Sequence, residues 1–578
     1  MYWSVYRTGF VGVVDKAYFH DFAWLRSMSG WKDVLFGNFY NWSNYFRPLV
    51  VALFVVEERA FDVAPGPMHL VSLALHLANT LLVGVLCQRI PGTIHVPWQR
   101  CALTALAMLL YGLHPALTEP LASVSCQFEL VVVFFALLGL VLHTSLRQRT
   151  WRAIGVGSCF FLAACAKESA VAFPLLVAVF DWILLGGSPA DPSNAQTLRR
   201  IARQQWPTYV LMLCAGVIYL ALRYWALGVL VDPGSMRSMG VVARFQMVAW
   251  LYVTYWRIFV WPMTGLGPMH EVDIRQFSSL TPASITIDAV ALLLLCAGAY
   301  LFLRRKAIGA LLAAMTAALL PVLHLIPVEF DSSLYHDRFA MLAIGVGCVL
   351  LPGTVASANS PVARRRWVRV SAAAAAVLWL SIAAANIRVT LPLWSEDTKL
   401  WRWVVDQHPQ SVLAKNHLLS AYLERDDYAN AQRVADAIMD EGAACPVCLV
   451  NVANLALSTR DAPAARRALD KAAPLIRRIN QPRLEQASVV ATAQLHELEG
   501  DASEALEAYR RALVLEPLDT RARMRMALLL ARQGMRAEAQ AEAERALALM
   551  APDEREQNLA QFQAAMASAA VQSQPTGR

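Results

Sequence analysis

Charge is what this chain has little of. Only 16% of its 578 residues are Asp, Glu, Lys or Arg, against about a quarter in soluble domains. The deficit lies almost wholly before residue 390, which excludes a uniformly water-facing protein. A cleavable leader is not legible either, since Met1–Val14 is short, aromatic and offers no small-residue cleavage site. The net charge of +8 comes with no folded basic module, so no nucleic-acid partner is expected. Cysteine is sparse, and Cys159, Cys165, Cys214, Cys296 and Cys348 sit singly in apolar runs as small buried hydrophobes. Cys445-Pro446-Val447-Cys448 is the exception. It lacks the four ligands of a structural zinc site and any surrounding βαβ pattern, which leaves a local disulfide or two packed thiols.

What is present in excess is apolar sequence, 57% of the chain. A membrane span needs about 20 apolar residues. Ten stretches read as spans: 68–88, 101–113, 124–143, 153–165, 169–185, 207–227, 286–303, 307–327, 338–356 and 368–389. Arg147, Arg149 and Arg152, then Arg199, Arg200 and Arg203, then Arg304-Arg305-Lys306, then Arg364-Arg365-Arg366 mark loops that face the cytoplasm by the positive-inside rule. With 186–206 and 304–306 both inside, 244–262 cannot be a simple span, and its Trp and Tyr content fits an interfacial or re-entrant helix. Residues 1–67, 114–123, 228–285, 329–337 and all after 390 then face outward, carrying Asp15, Asp21, Glu119, Glu271, Asp273, Glu329, Asp331 and Asp337. An outward 1–67 also requires a span before it, so this reading expects the start to lie one span upstream, or the segment to rest on the membrane surface.

After Trp394 the composition turns Ala-rich and charged. Pro409, Pro446, Pro517 and Pro552 are separated by 37, 71 and 35 residues, close to one or two tetratricopeptide periods of about 34. Gly500-Asp501 and Gly534 mark turns between paired helices, and Ala505, Tyr509, Ala512 and Leu513 fall at helical spacing. The expected architecture is all-α: a polytopic helical membrane domain followed by a tetratricopeptide-repeat solenoid. The divisions are 1–67 (a first outward loop with an amphipathic helix), 68–389 (the multi-span domain), 390–563 (the repeats) and 564–578 (a disordered tail). Stacked helix pairs build a concave face suited to a polypeptide partner.

Several short motifs occur in order through the membrane half. They are Tyr45-Phe46-Arg47-Pro48-Leu49, Pro65-Gly66-Pro67-Met68-His69, His114-Pro115-Ala116-Leu117-Thr118-Glu119, Ala166-Lys167-Glu168-Ser169, Trp261-Pro262 and Asp337-Arg338. This set resembles the transmembrane and tetratricopeptide-repeat O-mannosyltransferases and their bacterial relatives, within the C-type (GT-C) multi-span glycosyltransferases. The resemblance covers nearly the whole chain, repeats included. It implies transfer of a mannose-like hexose from a polyprenyl-phosphate donor to Ser or Thr hydroxyls of exported proteins. The compartment implied is the periplasmic face of a bacterial inner membrane, or the endoplasmic reticulum lumen in a eukaryote. No other cofactor is implied, metal dependence stays open, and no tight acidic pair demands an ion.

The resemblance also implies site residues. Asp15 matches an acidic position in the family's first outward loop, although the pair common there is absent, and would take the acceptor's proton. Arg338, Lys167 and Arg47 would hold the lipid phosphate, Arg by a bidentate fork and Lys as a point charge. Glu119, His114, Glu168 and Asp337 would support them. Glu129 matches a further acidic position, while Gln127 stands where the family carries Arg. The plain alternatives are a solvated loop carboxylate for Asp15, and snorkelling or ion pairs with the adjacent Asp337 and Glu168 for the cations. His69 and His76 lie seven apart on one helix face without converging carboxylates, which favours helix packing over metal ligation. The competing function is a non-enzymatic membrane-anchored repeat scaffold for envelope or secretion proteins. A flippase for lipid-linked sugars would need charges lining a path through the spans, whereas these gather at one face.

Overall fold

The computed structural model describes residues 1–19, 23–27, 33, 45–90, 97–186, 193–230, 239–325, 333–356, 366–440, 445–479, 481–550 and 552–572. Asp21, Glu329, Asp331, Arg364 and Arg365 lie outside the described residues. Every regular element among the described residues is helical. A 3-10 helix at Tyr2–Arg7 opens the chain, and the described α-helices before residue 65 are α1 (Gly12–Phe19), α2 (Ala23–Ser27) and α3 (Pro48–Phe61). A bundle follows: α4 (Pro65–Arg89), α5 (Pro97–Gly112), the single turn α6 (Thr118–Ala122), α7 (Gln127–Ser145), α8 (Arg149–Ala166), α9 (Phe173–Leu185) and α10 (Asn194–Leu227). It continues through α11 (Val241–Val260), α12 (Pro282–Leu303), α13 (Ala307–Leu319), α14 (Met341–Ala356) and α15 (Arg366–Thr390).

Helix α7 is the centre of this bundle, packing on α4, α8 and α14, while α10 lies along α8, and α13 joins α9, α12 and α14. Burial follows that order: the most apolar stretch of α7 is 78% buried, against 11% for α12 and α15. The outer helices therefore display long apolar faces, with Leu213, Leu293, Val377 and Leu378 mostly exposed.

Among the described residues, seven helices are long and apolar enough to cross a membrane, or eight if α5 and the bent 115–122 segment count as one span. Ten were expected. The 153–165 stretch lies in α8, whose first turn carries Arg149 and Arg152, and Pro321 converts the end of α13 into a 3-10 turn after Leu319. The interfacial stretch 244–262 forms the 20-residue α11.

The second half is a stack of antiparallel helix pairs. Helix α16 (Asp397–Gln407) precedes the pairs α17 (Val412–Leu423) with α18 (Tyr428–Asp440), and α19 (Pro446–Ser458) with α20 (Ala462–Ile479). The pairs α21 (Pro482–Glu499) with α22 (Ala502–Leu515) and α23 (Thr520–Arg532) with α24 (Arg536–Leu547) follow, and α25 (Pro552–Gln572) ends the stack. The first helices α17, α19 and α21 pack on one another in one layer. Each turn within a pair needs a left-handed residue, supplied by Asp426, Arg460, Gly500 and Gly534, and glycine meets that demand at least cost. Ala431, Ala465, Ala505 and Ala539 are fully buried at the first turns of the second helices, where small side chains let neighbours close up. The expected tail 564–578 is corrected in part, because α25 runs on to Gln572. Its Ala-rich sequence has high helix propensity, and 573–578 lie outside the described residues.

Both ends of this stack touch loops and short helices of the first half. Near its start, Gly12 N–H donates to Asp397 Oδ1 at 2.7 Å, Ser411 bonds the Glu271 carboxylate, and Met269 enters the repeat core. Near its end, the Arg26 guanidinium donates to the Leu549 and Met550 carbonyls while pairing with Glu58 at 3.4 Å and Asp62 at 2.8 Å. Leu518 also packs against the Tyr18–Phe19–Trp24 cluster.

Candidate functional site

The site begins with two backbone breaks. Pro115 stops α5, and the chain bends by 52° into α6, placing Glu119 in a buried turn. Ser123 is extended, and a 3-10 turn at Val124–Cys126 leads into α7. That entry leaves N–H groups without helical partners. Asp15 supplies the partner: its carboxylate accepts from Ser123 Oγ at 2.7 Å, Val124 N–H at 3.0 Å and Ser125 N–H at 2.7 Å. Asp15 is wholly buried, so it is not a solvated loop carboxylate. It acts as a long-range cap on the turn that aims Glu119 and Glu129.

Beyond this cap the charges interlock. Glu119 accepts from the Arg338 backbone N–H at 2.9 Å and pairs with its guanidinium. Arg338 Nε also lies 3.3 Å from Glu129 Oε1, the oxygen that Lys167 holds from the other side. Arg47 directs Nε and Nη2 to Glu168 Oε2 at 3.2 and 3.0 Å, and Arg223 Nη1 reaches Glu168 Oε1 at 3.1 Å. Arg47 also lies over the rings of Tyr45 and Phe128. Four cations here meet three glutamates, so the cluster carries one positive charge in excess.

The adjacent-residue pairings are corrected. Arg338 does not pair with Asp337, nor Lys167 with Glu168. Lys167 is in extended backbone, and successive side chains of an extended segment point to opposite sides. Asp337 turns away to accept from Gly267 N–H at 2.9 Å and to pair with His270 at 3.0 Å. His114 is also separate from the cluster: its Nε2 faces the Phe259 carbonyl at 3.3 Å and its ring packs against Trp379. His69 and His76 bond backbone carbonyls of Leu121, Gly9 and Gly112, which is the packing role.

A narrow cleft of about 20 Å³ opens on the charges. Val132, Val133, Phe339 and Leu342 wall it, and Lys167, Glu129 and Arg338 form its polar end. The lining combines cations, which make charge-assisted hydrogen bonds to phosphate, with apolar side chains, which cover methylenes. Four further participants went unread in the sequence: Arg223, His270, His336 and Glu57. Arg223 carries the same signal as Arg47, a single Arg in the sequence at the end of an apolar helix. His336 Nδ1 stands 3.6 Å from Glu119 Oε1. Burial, then the charges of Arg338, His270 and Lys167, holds its imidazole well below the ordinary value and therefore neutral.

Glu57 explains Gln127. Burial pushes the Glu57 carboxyl up to about 8, so it carries a proton at neutral pH. Gln127 Nε2 donates to Glu57 Oε1 at 3.0 Å, while Glu57 Oε2 and the Gln127 carbonyl oxygen are both buried without a hydrogen-bond partner. An arginine at 127 would demand an ionised Glu57; the amide accepts a neutral one. Because the folded value exceeds the unfolded one, Glu57's stabilising contribution is complete below about 4.5 and is lost as pH rises to about 8. Glu57→Gln is expected to stabilise the chain above pH 8 relative to wild type, with the difference shrinking towards pH 5. Thermal unfolding across that range checks it, and a pH-independent difference refutes it.

Among the described residues, His496, Glu499 and Asp501 have spacing that could hold a metal ion, but they lie in the repeats and Glu499 already pairs with Arg466. No protein-family model matches the chain, and no curated protein does. The crystal structure of yeast Tom70 is 14% identical, with 87% of this chain and 97% of that chain covered and a TM-score of 0.27. The Cut9–Hcn1 hetero-tetramer of APC/C is 15% identical, with 81% and 93% covered and a TM-score of 0.26. Similarity at that level carries no argument about this chain. Its description rests on its own helices, charges and repeats.

Proposed function

We propose that the chain is a membrane glycosyltransferase that takes a mannose-like hexose from a polyprenyl-phosphate carrier and passes it to Ser or Thr hydroxyls of exported proteins. The observation that carries this reading is the cleft with Lys167 and Arg338 at its polar end and apolar walls behind them. The acceptor hydroxyl attacks the anomeric carbon, and the bond from that carbon to the phosphate oxygen breaks. The lipid phosphate leaves against Arg338 and Lys167, with Arg47 and Arg223 adding to the positive field. The hydroxyl proton goes to Asp15, reached once the acceptor displaces the Ser123 hydroxyl from its carboxylate. The repeats hold the acceptor polypeptide, and the reaction takes place at the outer, periplasmic face of a bacterial inner membrane.

The test is transfer by the purified chain from polyprenyl-phosphate hexoses to a Ser/Thr-containing peptide, together with the glycans of exported proteins in a deletion strain and its parent. Transfer with altered glycans supports the reading; no transfer and an unchanged glycoproteome overturn it. One observation favours the second reading, a non-enzymatic scaffold: Arg338, Lys167 and Arg47 each already have a carboxylate partner, as a purely structural ion network requires. Under that reading, cleft substitutions leave exported glycans unchanged while partner proteins still co-purify through the repeats.

A further inference from the structure

The motif Cys445-Pro446-Val447-Cys448 has no part in sugar transfer. Its two cysteines form a disulfide at the start of α19, where Cys445 is the N-cap and Pro446 occupies the first helical position. The two sulfurs differ sharply in surroundings. Cys448 is fully buried, among Leu418, Tyr422 and Ile438 of the repeat core. Cys445 is half-buried at the end of the helix, and the Cys448 backbone N–H donates to its Sγ at 3.4 Å.

We infer that Cys445–Cys448 is an exchangeable disulfide that takes cysteine thiols of polypeptides held on the repeats. A nucleophile from solvent reaches Cys445 and not Cys448. The client thiolate attacks Cys445 Sγ, forming a new S–S bond as the Cys445–Cys448 bond breaks. The electron pair goes to Cys448 Sγ, which takes a proton from water. The reverse attack by Cys448 on Cys445 releases the client thiol, so the step is an exchange and needs no added oxidant or reductant. Two features favour it. Cys445 lies half-buried at the end of the helix, open to an incoming thiolate. The resolving Cys448 is held beside it by the core. Helix α19 belongs to the layer of first helices, with α17 and α21 on either side, so the tether falls within the repeat stack. The inference rests on the reading that the repeats hold a polypeptide, and not on sugar transfer to it.

Glutathione serves as the probe thiol on the full-length protein in detergent. With oxidised glutathione, Cys448→Ala is expected to accumulate the mixed disulfide on Cys445, while Cys445→Ala carries roughly a tenth as much or less on Cys448. With reduced glutathione, the folded wild type is expected to open its disulfide and carry the adduct on Cys445, read by peptide mass mapping. Equal labelling of the two variants overturns the proposal. So does a wild-type disulfide that resists glutathione until the repeats unfold, a measurement that stands even if a variant fails to fold.

Discussion

Arg338→Ala is expected to lower sugar transfer by about 10²–10³-fold, the scale on which one aimed donor to developing charge contributes. It should also destabilise the fold. Arg338 is shared between Glu119 and Glu129, and removing one partner of a buried pair costs about 3–5 kcal/mol because the other charge stays buried. The two effects separate in a double variant. Glu119→Gln in the Arg338→Ala background removes a stranded carboxylate and restores part of the stability, but it returns no cation to the leaving phosphate, so transfer stays low. Arg338→Lys keeps the charge without the fork and should fall between wild type and Arg338→Ala. Thermal unfolding and transfer assays on the same preparations check this. Transfer within about twofold of wild type in Arg338→Ala removes the phosphate role.

Asp15→Asn is the second large effect. As a proton acceptor Asp15 is worth about 10²–10⁴ in rate; as a cap it holds two backbone N–H groups and a serine hydroxyl. An amide oxygen can keep one or two of those bonds, while its NH₂ faces donors, so a stability loss of about 1–3 kcal/mol is expected. Ser123→Ala removes one donor and keeps the carboxylate, so it separates the roles. If Asp15 takes the proton, Asp15→Asn loses turnover with donor binding retained, and Ser123→Ala keeps most activity. Equal losses in both variants, with donor binding weakened in both, reduce Asp15 to a positioning residue for Glu119 and Glu129.

The repeats were legible because their signals are local. Gly500, Gly534 and the spaced prolines report turn geometry that depends on nearest neighbours. The apolar helices were legible for the same reason, and the misses among them occurred where a single residue ended a run, as Pro321 does. The cluster was harder. Glu119, Lys167 and Arg338 could be singled out as ionisable residues at apolar boundaries, but their partners are set by backbone turns. The extended Lys167 and the 3-10 turn at Asp337–Ala340 send neighbouring side chains apart, so adjacency in sequence misassigned the pairs. Glu57 was missed because an acid in an apolar run gains meaning only beside Gln127, 70 residues away.

A helix-pair stack fixed at one end flexes like a spring, since each pair touches only its neighbours. Here the second contact, from Arg26 to the carbonyls of Leu549 and Met550, joins the free end back to the first residues of the chain. The backbone between residues 26 and 550 is thereby closed into a ring. Bending of the stack can no longer dissipate at a loose end, and any change of curvature must strain either the Asp397 junction or the Arg26 junction.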